Sequence, residues 1–121
     1  MVTVVVVENL ELMRDSVVHA LSAADDMTVV GYCADGEAAV EVVLRERPDV
    51  VVMGLGLPGM DGAETARHII EAWPAARILL HASDPTSDRA RAAIRGGVVA
   101  VAPENMSVET LVQTIRVIAD D

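Results

Sequence analysis

Between Asp49 and Gly62 the chain changes character in a way few folds accommodate. Val50, Val51, Val52 and Met53 form an unbroken apolar run. It is short for a helix and lacks the polar alternation of a strand with one wet face. Such a run suits a strand covered on both faces, as in a parallel sheet. Gly54, Gly56, Gly59 and Gly62, with Pro58, then crowd into nine residues. Glycine admits backbone angles other residues resist and proline fixes its own, so the strand must break into a loop here. The carboxyl end of a buried strand is where open α/β sheets place their working site. At this strand tip no side chain can act as a nucleophile.

The rest of the chain repeats the same rhythm of short apolar runs and helix-period segments, which predicts successive βα units and a parallel sheet. Strands are expected over Thr3–Val7, Thr28–Tyr32, Val50–Met53, Arg77–His81 and Val98–Ala102. Asn9 is a candidate cap for a first helix running to about Ala24, with Met13, Val17 and Leu21 along one face. Further helices are expected over Glu37–Arg47, stopped by Pro48, over Ala63–Trp73, stopped by Pro74, and over Asp88–Arg95, stopped by Gly96 and Gly97. Ser107 caps a last helix in which Val108, Leu111, Val112, Ile115 and Ile118 share a face. Connections this short leave no room for a linker, so one domain over residues 1–121 is expected.

Composition narrows the function. The core must be aliphatic, since Trp73 and Tyr32 are the only aromatic residues. A formal net charge of −10, with nine arginines and no lysine, argues against this domain gripping nucleic acid itself. The single Cys33 cannot form an internal disulfide and reads as a small buried hydrophobe, which suits a reducing, cytoplasmic setting. No apolar run is long enough to span a membrane. His19, His68 and His81 show no ligand spacing with Cys33, so no zinc site is expected.

Several spaced motifs then agree in order. Val-Val-Met-Gly-Leu-Gly-Leu-Pro-Gly-Met-Asp-Gly at 51–62 resembles the third strand and loop of the receiver domains of bacterial two-component response regulators, which usually read Asp-Leu-x-Met-Pro-x-Met-Asp-Gly. Arg-Gly-Gly at 95–97 is similar to that family's Ala-Gly-Ala before the fifth strand. Ala34-Asp35-Gly36-Glu37-Ala38 is similar to the second-strand exit of the NarL/FixJ-type subfamily. The resemblance covers essentially the whole chain. It implies a flavodoxin-like (CheY-like) three-layer sandwich whose five-stranded parallel sheet has the order 2-1-3-4-5.

The resemblance also implies a phosphorylation pocket, and here each position departs from the family's chemistry. The acidic pair that helps hold magnesium falls on Glu8 and Asn9, leaving one carboxylate and a neutral amide. The phosphoacceptor aspartate falls on Gly54, the hydroxyl position on Ala82, and the lysine position on Glu104. Ser83 follows Ala82 and, by strand alternation, is expected to point elsewhere. The aromatic of the fifth strand falls on Val101. A phosphoryl group would face Glu8 and Glu104 with no lysine, a repulsion of several kcal/mol at an effective dielectric of ~20. No catalytic residue, metal or cofactor is expected.

The function implied is an atypical, phosphorylation-independent receiver domain of a transcriptional regulator. Its helix-turn-helix DNA-binding domain would lie outside this chain, and DNA would be reached only through it. Without phosphate, two routes of control are expected. One is homodimerisation through the first and last helices, with Met13, Val17, Ile115 and Ile118 serving core and partner. The other is a small-molecule effector at a crevice beside Gly54, Gly56, His81 and Ala82, and another regulator is the remaining partner expected. A stand-alone adaptor is the alternative from within the family. A nucleotide-binding enzyme is the outsider, since Gly54-x-Gly56-x-x-Gly59 matches a dinucleotide fingerprint. That motif follows the third strand and is interrupted by Pro58 and Met60, which favours a plain turn. Asp61 reads as a solvated turn residue, His81 as a satisfied interior histidine, Met53 and Met60 as core filler, and Arg89, Arg91 and Arg95 as a solvated helix face.

Overall fold

The computed structural model describes residues 1–120. Five strands, β1 (Val2–Val7), β2 (Met27–Cys33), β3 (Val50–Gly54), β4 (Ile78–Ala82) and β5 (Ala100–Pro103), alternate with helices α1 (Glu11–Ser22), α2 (Gly36–Glu46), α3 (Gly62–Ala72), α4 (Asp88–Arg95) and α5 (Val108–Asp120). All pairings are parallel and the sheet order is β2-β1-β3-β4-β5, the order expected from the sequence.

The continuous valine runs are explained by coverage on both faces. Val5, Val7, Val51, Met53, Ile78 and Leu80 face α2, α3 and α4, where Ala39, Val43, Ala66, Ile69, Ala90 and Ala93 complete one core. Val4, Val6, Val50, Val52 and Leu79 face the other way, onto Val17 and Leu21 of α1 and Leu111, Ile115 and Ile118 of α5. Successive strand residues thus serve different cores, so every position over Val4–Val7 and Val50–Met53 must be apolar. Each fully buried Leu, Ile or Val stabilises by about 1.5–3 kcal/mol relative to exposure.

Helix starts follow local chemistry. Asp35 accepts a hydrogen bond from the Ala38 N–H (2.8 Å), and Ser87 does the same for Ala90 (3.1 Å). Ser107 accepts from the Thr110 N–H at 3.2 Å, as expected. Asn9 does not cap α1: the cap position is Leu10, which has no side-chain acceptor. The second helix ends at Glu46, one residue early, because Arg47 takes a left-handed conformation at φ 44° before Pro48. Its guanidinium sits 5.5 Å from the centroid of the Trp73 ring.

One expectation about the surface is corrected. Val17, Ile115 and Ile118, read as serving a partner as well as the core, are 8 %, 0 % and 8 % exposed and belong to the α1/α5 core. Helix period places them on the inward face, and the two helices cover the sheet closely enough to consume it. Met13 is half-buried. The apolar side chains that α1 and α5 leave in solvent are Leu12, Val108 and Val117. Among the described residues no helix is long and apolar enough to cross a membrane.

Candidate functional site

The carboxyl ends of β1, β3, β4 and β5 converge around a cavity of about 230 Å³. Its walls include Glu8, Gly54, Gly56, His81, Ala82 and Glu104, so the residues expected at the site are brought together, with the exception of Asn9. Asn9 is exposed and lies outside the lining.

Glu8 leaves β1 with its N–H donated to the Cys33 carbonyl (3.0 Å), and Arg14 donates to the Glu8 carbonyl (3.0 Å). Both bonds hold the backbone and leave the carboxylate to lean over the tip of β3. A Cβ built on Gly54 would lie 2.6 Å from Glu8 Oε2, closer than real Cβ contacts come. Glycine at 54 therefore does two things. It offers no side chain that could act as a nucleophile, and it leaves room for Glu8. Burial raises the Glu8 pKa above the ordinary carboxyl value; the Asn9 N–H opposes this, Glu104 adds to it and Arg14 opposes it.

The β3–β4 register places His81 beside Gly54, and the Leu55 N–H donates to the His81 carbonyl at 2.8 Å. His81 is not the satisfied interior histidine expected: its Nε2 is buried with no hydrogen-bond partner. Burial holds its imidazole below the ordinary value, with Glu104 acting the other way. Glu104 is fixed across the mouth by its N–H, which donates to the Ala82 carbonyl at 3.1 Å. Ala82 is 3 % exposed and supplies no hydroxyl. Ser83 does line the cavity, contrary to expectation, because β4 ends at Ala82 and strand alternation stops there. Val101 is half-buried against the α2–α4 core.

Asp61 is more than a solvated turn residue. It caps α3 by accepting from the Glu64 N–H (2.9 Å), and it pairs with Arg89 at 2.7 Å. Burial pushes its carboxyl up, but Glu64 and Arg89 outweigh that and leave it below the ordinary range. Sequence reasoning missed this pair because the two residues are 28 positions apart. Arg89, Arg91 and Arg95 all lie on the exposed helix face, and Arg89 adds the ion pair with Asp61 to it. The glycine fingerprint does not open a helix: α3 begins only at Gly62, where a Cβ would strike the Gly54 carbonyl oxygen. Cys33 is half-buried, and burial pushes its thiol up to about 11.

The magnesium that the resemblance implies would need a cluster of oxygen donors. Glu8 has no carboxylate partner at position 9 or 54, and among the described residues no three His, Cys, Asp or Glu side chains converge as a metal site. The donor set does not fit the ion.

A doubly covered parallel sheet of this order, with its site at the strand tips, is a flavodoxin-like (CheY-like) fold. The chain belongs to the response regulator receiver domain family, whose description matches residues 4–116. It is 30 % identical to the signal receiver domain of the response regulator NarL from Mycobacterium tuberculosis, with a TM-score of 0.91 and coverage of 98 % of this chain and 96 % of that one. It is 40 % identical over 79 residues to the transcriptional regulatory protein NarL of the same organism, covering 65 % of this chain and 37 % of the relative. Over 83 residues it is 39 % identical to protein-glutamate methylesterase/protein-glutamine glutaminase 1 of Syntrophus aciditrophicus, covering 69 % of this chain and 24 % of the relative. The chain therefore spans well under half the length of these two curated relatives.

Proposed function

We propose that this is a phosphorylation-independent receiver domain, without catalytic activity of its own, that regulates transcription in the cytoplasm through an attached output domain. The observation that carries it is the Glu8 carboxylate lying where a side chain at position 54 would begin. The pocket has lost its nucleophile, and its space is occupied by a negative charge facing Glu104. An incoming phosphoryl group would meet like charges and no lysine. Likeness to the NarL-type transcriptional regulators supports the output side of the reading.

Incubation with acetyl phosphate and magnesium tests it. The intact mass stays unchanged, and it stays unchanged for Gly54→Asp, which restores the nucleophile but neither the cation site nor the lysine. A phosphoryl adduct on either protein sinks the proposal.

Control then passes to another input. The cavity beside Gly54, Gly56, His81 and Ala82 favours a small-molecule effector. Leu12 and Val117, 84 % and 67 % exposed on α1 and α5, favour a homodimer that would set paired output domains on two half-sites. A strict monomer at high concentration by light scattering removes the dimer.

A further inference from the structure

A second cavity, of about 340 Å³, lies between α3 and α4. Its floor is apolar: Ala66, Ala93 and Val98 are 2 %, 6 % and 5 % exposed, and Ala63, Ala92 and Gly96 form its sides. The two cavities differ in chemistry. The first presents Glu8, Glu104 and Asp84, with Arg89 as its single cationic side chain. The second has an apolar floor of methyl groups with Asp61, Glu64 and Arg67 on its rim, Arg67 being paired with Glu71 at 3.0 Å. They meet at one contact, since Arg89 lines the first, Asp61 lines the second, and these two form the 2.7 Å ion pair.

That partition is weak. The Arg89 and Asp61 side chains are 57 % and 34 % exposed, and ion pairs this wet contribute about 0–1 kcal/mol. Small-molecule pockets usually measure about 300–1,000 Å³ and combine an apolar body with a few placed polar groups. The first cavity is below that range and the second barely inside it; joined, they fall well within it and have both kinds of wall. Swinging Arg89 away also frees the Asp61 carboxylate, so the opened site gains negative charge as it loses its cation.

Resting on the effector reading above, we infer that the two cavities are one trench for an amine-bearing small molecule. Its cationic end lies among Glu8, Glu104 and Asp61, and its apolar body lies between α3 and α4. The Arg89–Asp61 ion pair is the partition that ligand entry opens. A cation relieves the crowding of Glu8 and Glu104, which no protein cation now neutralises from inside the cavity except Arg89, already engaged with Asp61. An anion of the same shape meets Glu8 and Glu104 at that end, with Arg89 already engaged by Asp61 and Arg67 by Glu71.

The test is titration of the ¹⁵N-labelled chain with phenylbutylamine, and separately with phenylbutyrate. The amine is expected to move the amides of Gly56 and Ala82 together with those of Ala92 and Gly96, with one saturating constant. Arg89→Ala should tighten binding and Glu104→Gln should weaken it, each by about two- to fivefold. Both side chains are exposed, so neither variant disturbs the core. The inference is overturned by shifts confined to one cavity, by equal affinity for phenylbutyrate, by no saturation at millimolar amine, or by weaker binding in Arg89→Ala. None of these results touches phosphorylation independence, which the intact-mass measurement decides separately.

Discussion

Gly54→Asp puts back the side chain the family uses, and the crowding at the tip of β3 sets its cost. The new Cβ would begin 2.6 Å from Glu8 Oε2, so the end of the Glu8 side chain must move. Because that end is flexible, the steric penalty is small, and Gly54→Ala should lose only about 0.5–1 kcal/mol. Charge repulsion costs more. Two carboxylates roughly 4 Å apart repel by about 4 kcal/mol at an effective dielectric of about 20. Solvent reaches half-buried Glu8 and screens part of this, leaving about 2–3 kcal/mol for the aspartate variant at neutral pH. With a urea slope of about 2 kcal/mol per molar, the unfolding midpoint falls by about 1 M. The penalty depends on pH. One carboxyl of the pair has a folded-state pKa raised above its unfolded value, so its contribution is present at acid pH and lost as pH rises through the folded value. The gap between Gly54→Asp and the parent therefore narrows near pH 4. Glu8→Ala in the Gly54→Asp background should recover most of the loss. Urea unfolding followed by circular dichroism at pH 4 and pH 7 reads all of this. Equal stability of Gly54→Asp and the parent at pH 7, or no recovery in the double variant, would refute the reasoning.

His81 should titrate below about 6.5 by NMR, and Glu104→Gln should lower it further by removing the charge that favours imidazolium. Because the folded value is depressed, the His81 contribution to stability is intact above about pH 6.5 and is lost as pH falls through the folded value. Arg47→Gly should be more stable than Arg47→Ala by about 1 kcal/mol, since both lose the Trp73 contact but only glycine relieves the left-handed backbone; Trp73 fluorescence in urea checks it. Gly62→Ala should lose more than about 2 kcal/mol by the same unfolding assay, because its Cβ meets backbone at Gly54 and Leu55 and not a movable side chain.

The amino-acid sequence by itself determined the order of elements and the sheet. Val4–Val7 and Val50–Met53 are apolar at every position, and only strands covered on both faces need that. It also determined which chemistry is missing, since Gly54, Ala82 and Glu104 carry their identities wherever they fold. Tertiary structure decided what those residues do to one another. Glu8 and Gly54 are 46 positions apart, and nothing in either neighbourhood shows that the carboxylate of one fills the space the other leaves. The same holds for Asp61 with Arg89, and for the burial of Val17, Ile115 and Ile118 that removed them from the surface. Local patterns report backbone preference and which face is apolar, because both repeat within a few residues. Distances between strand tips, and how closely a helix covers its sheet, depend on how all five βα units pack at once.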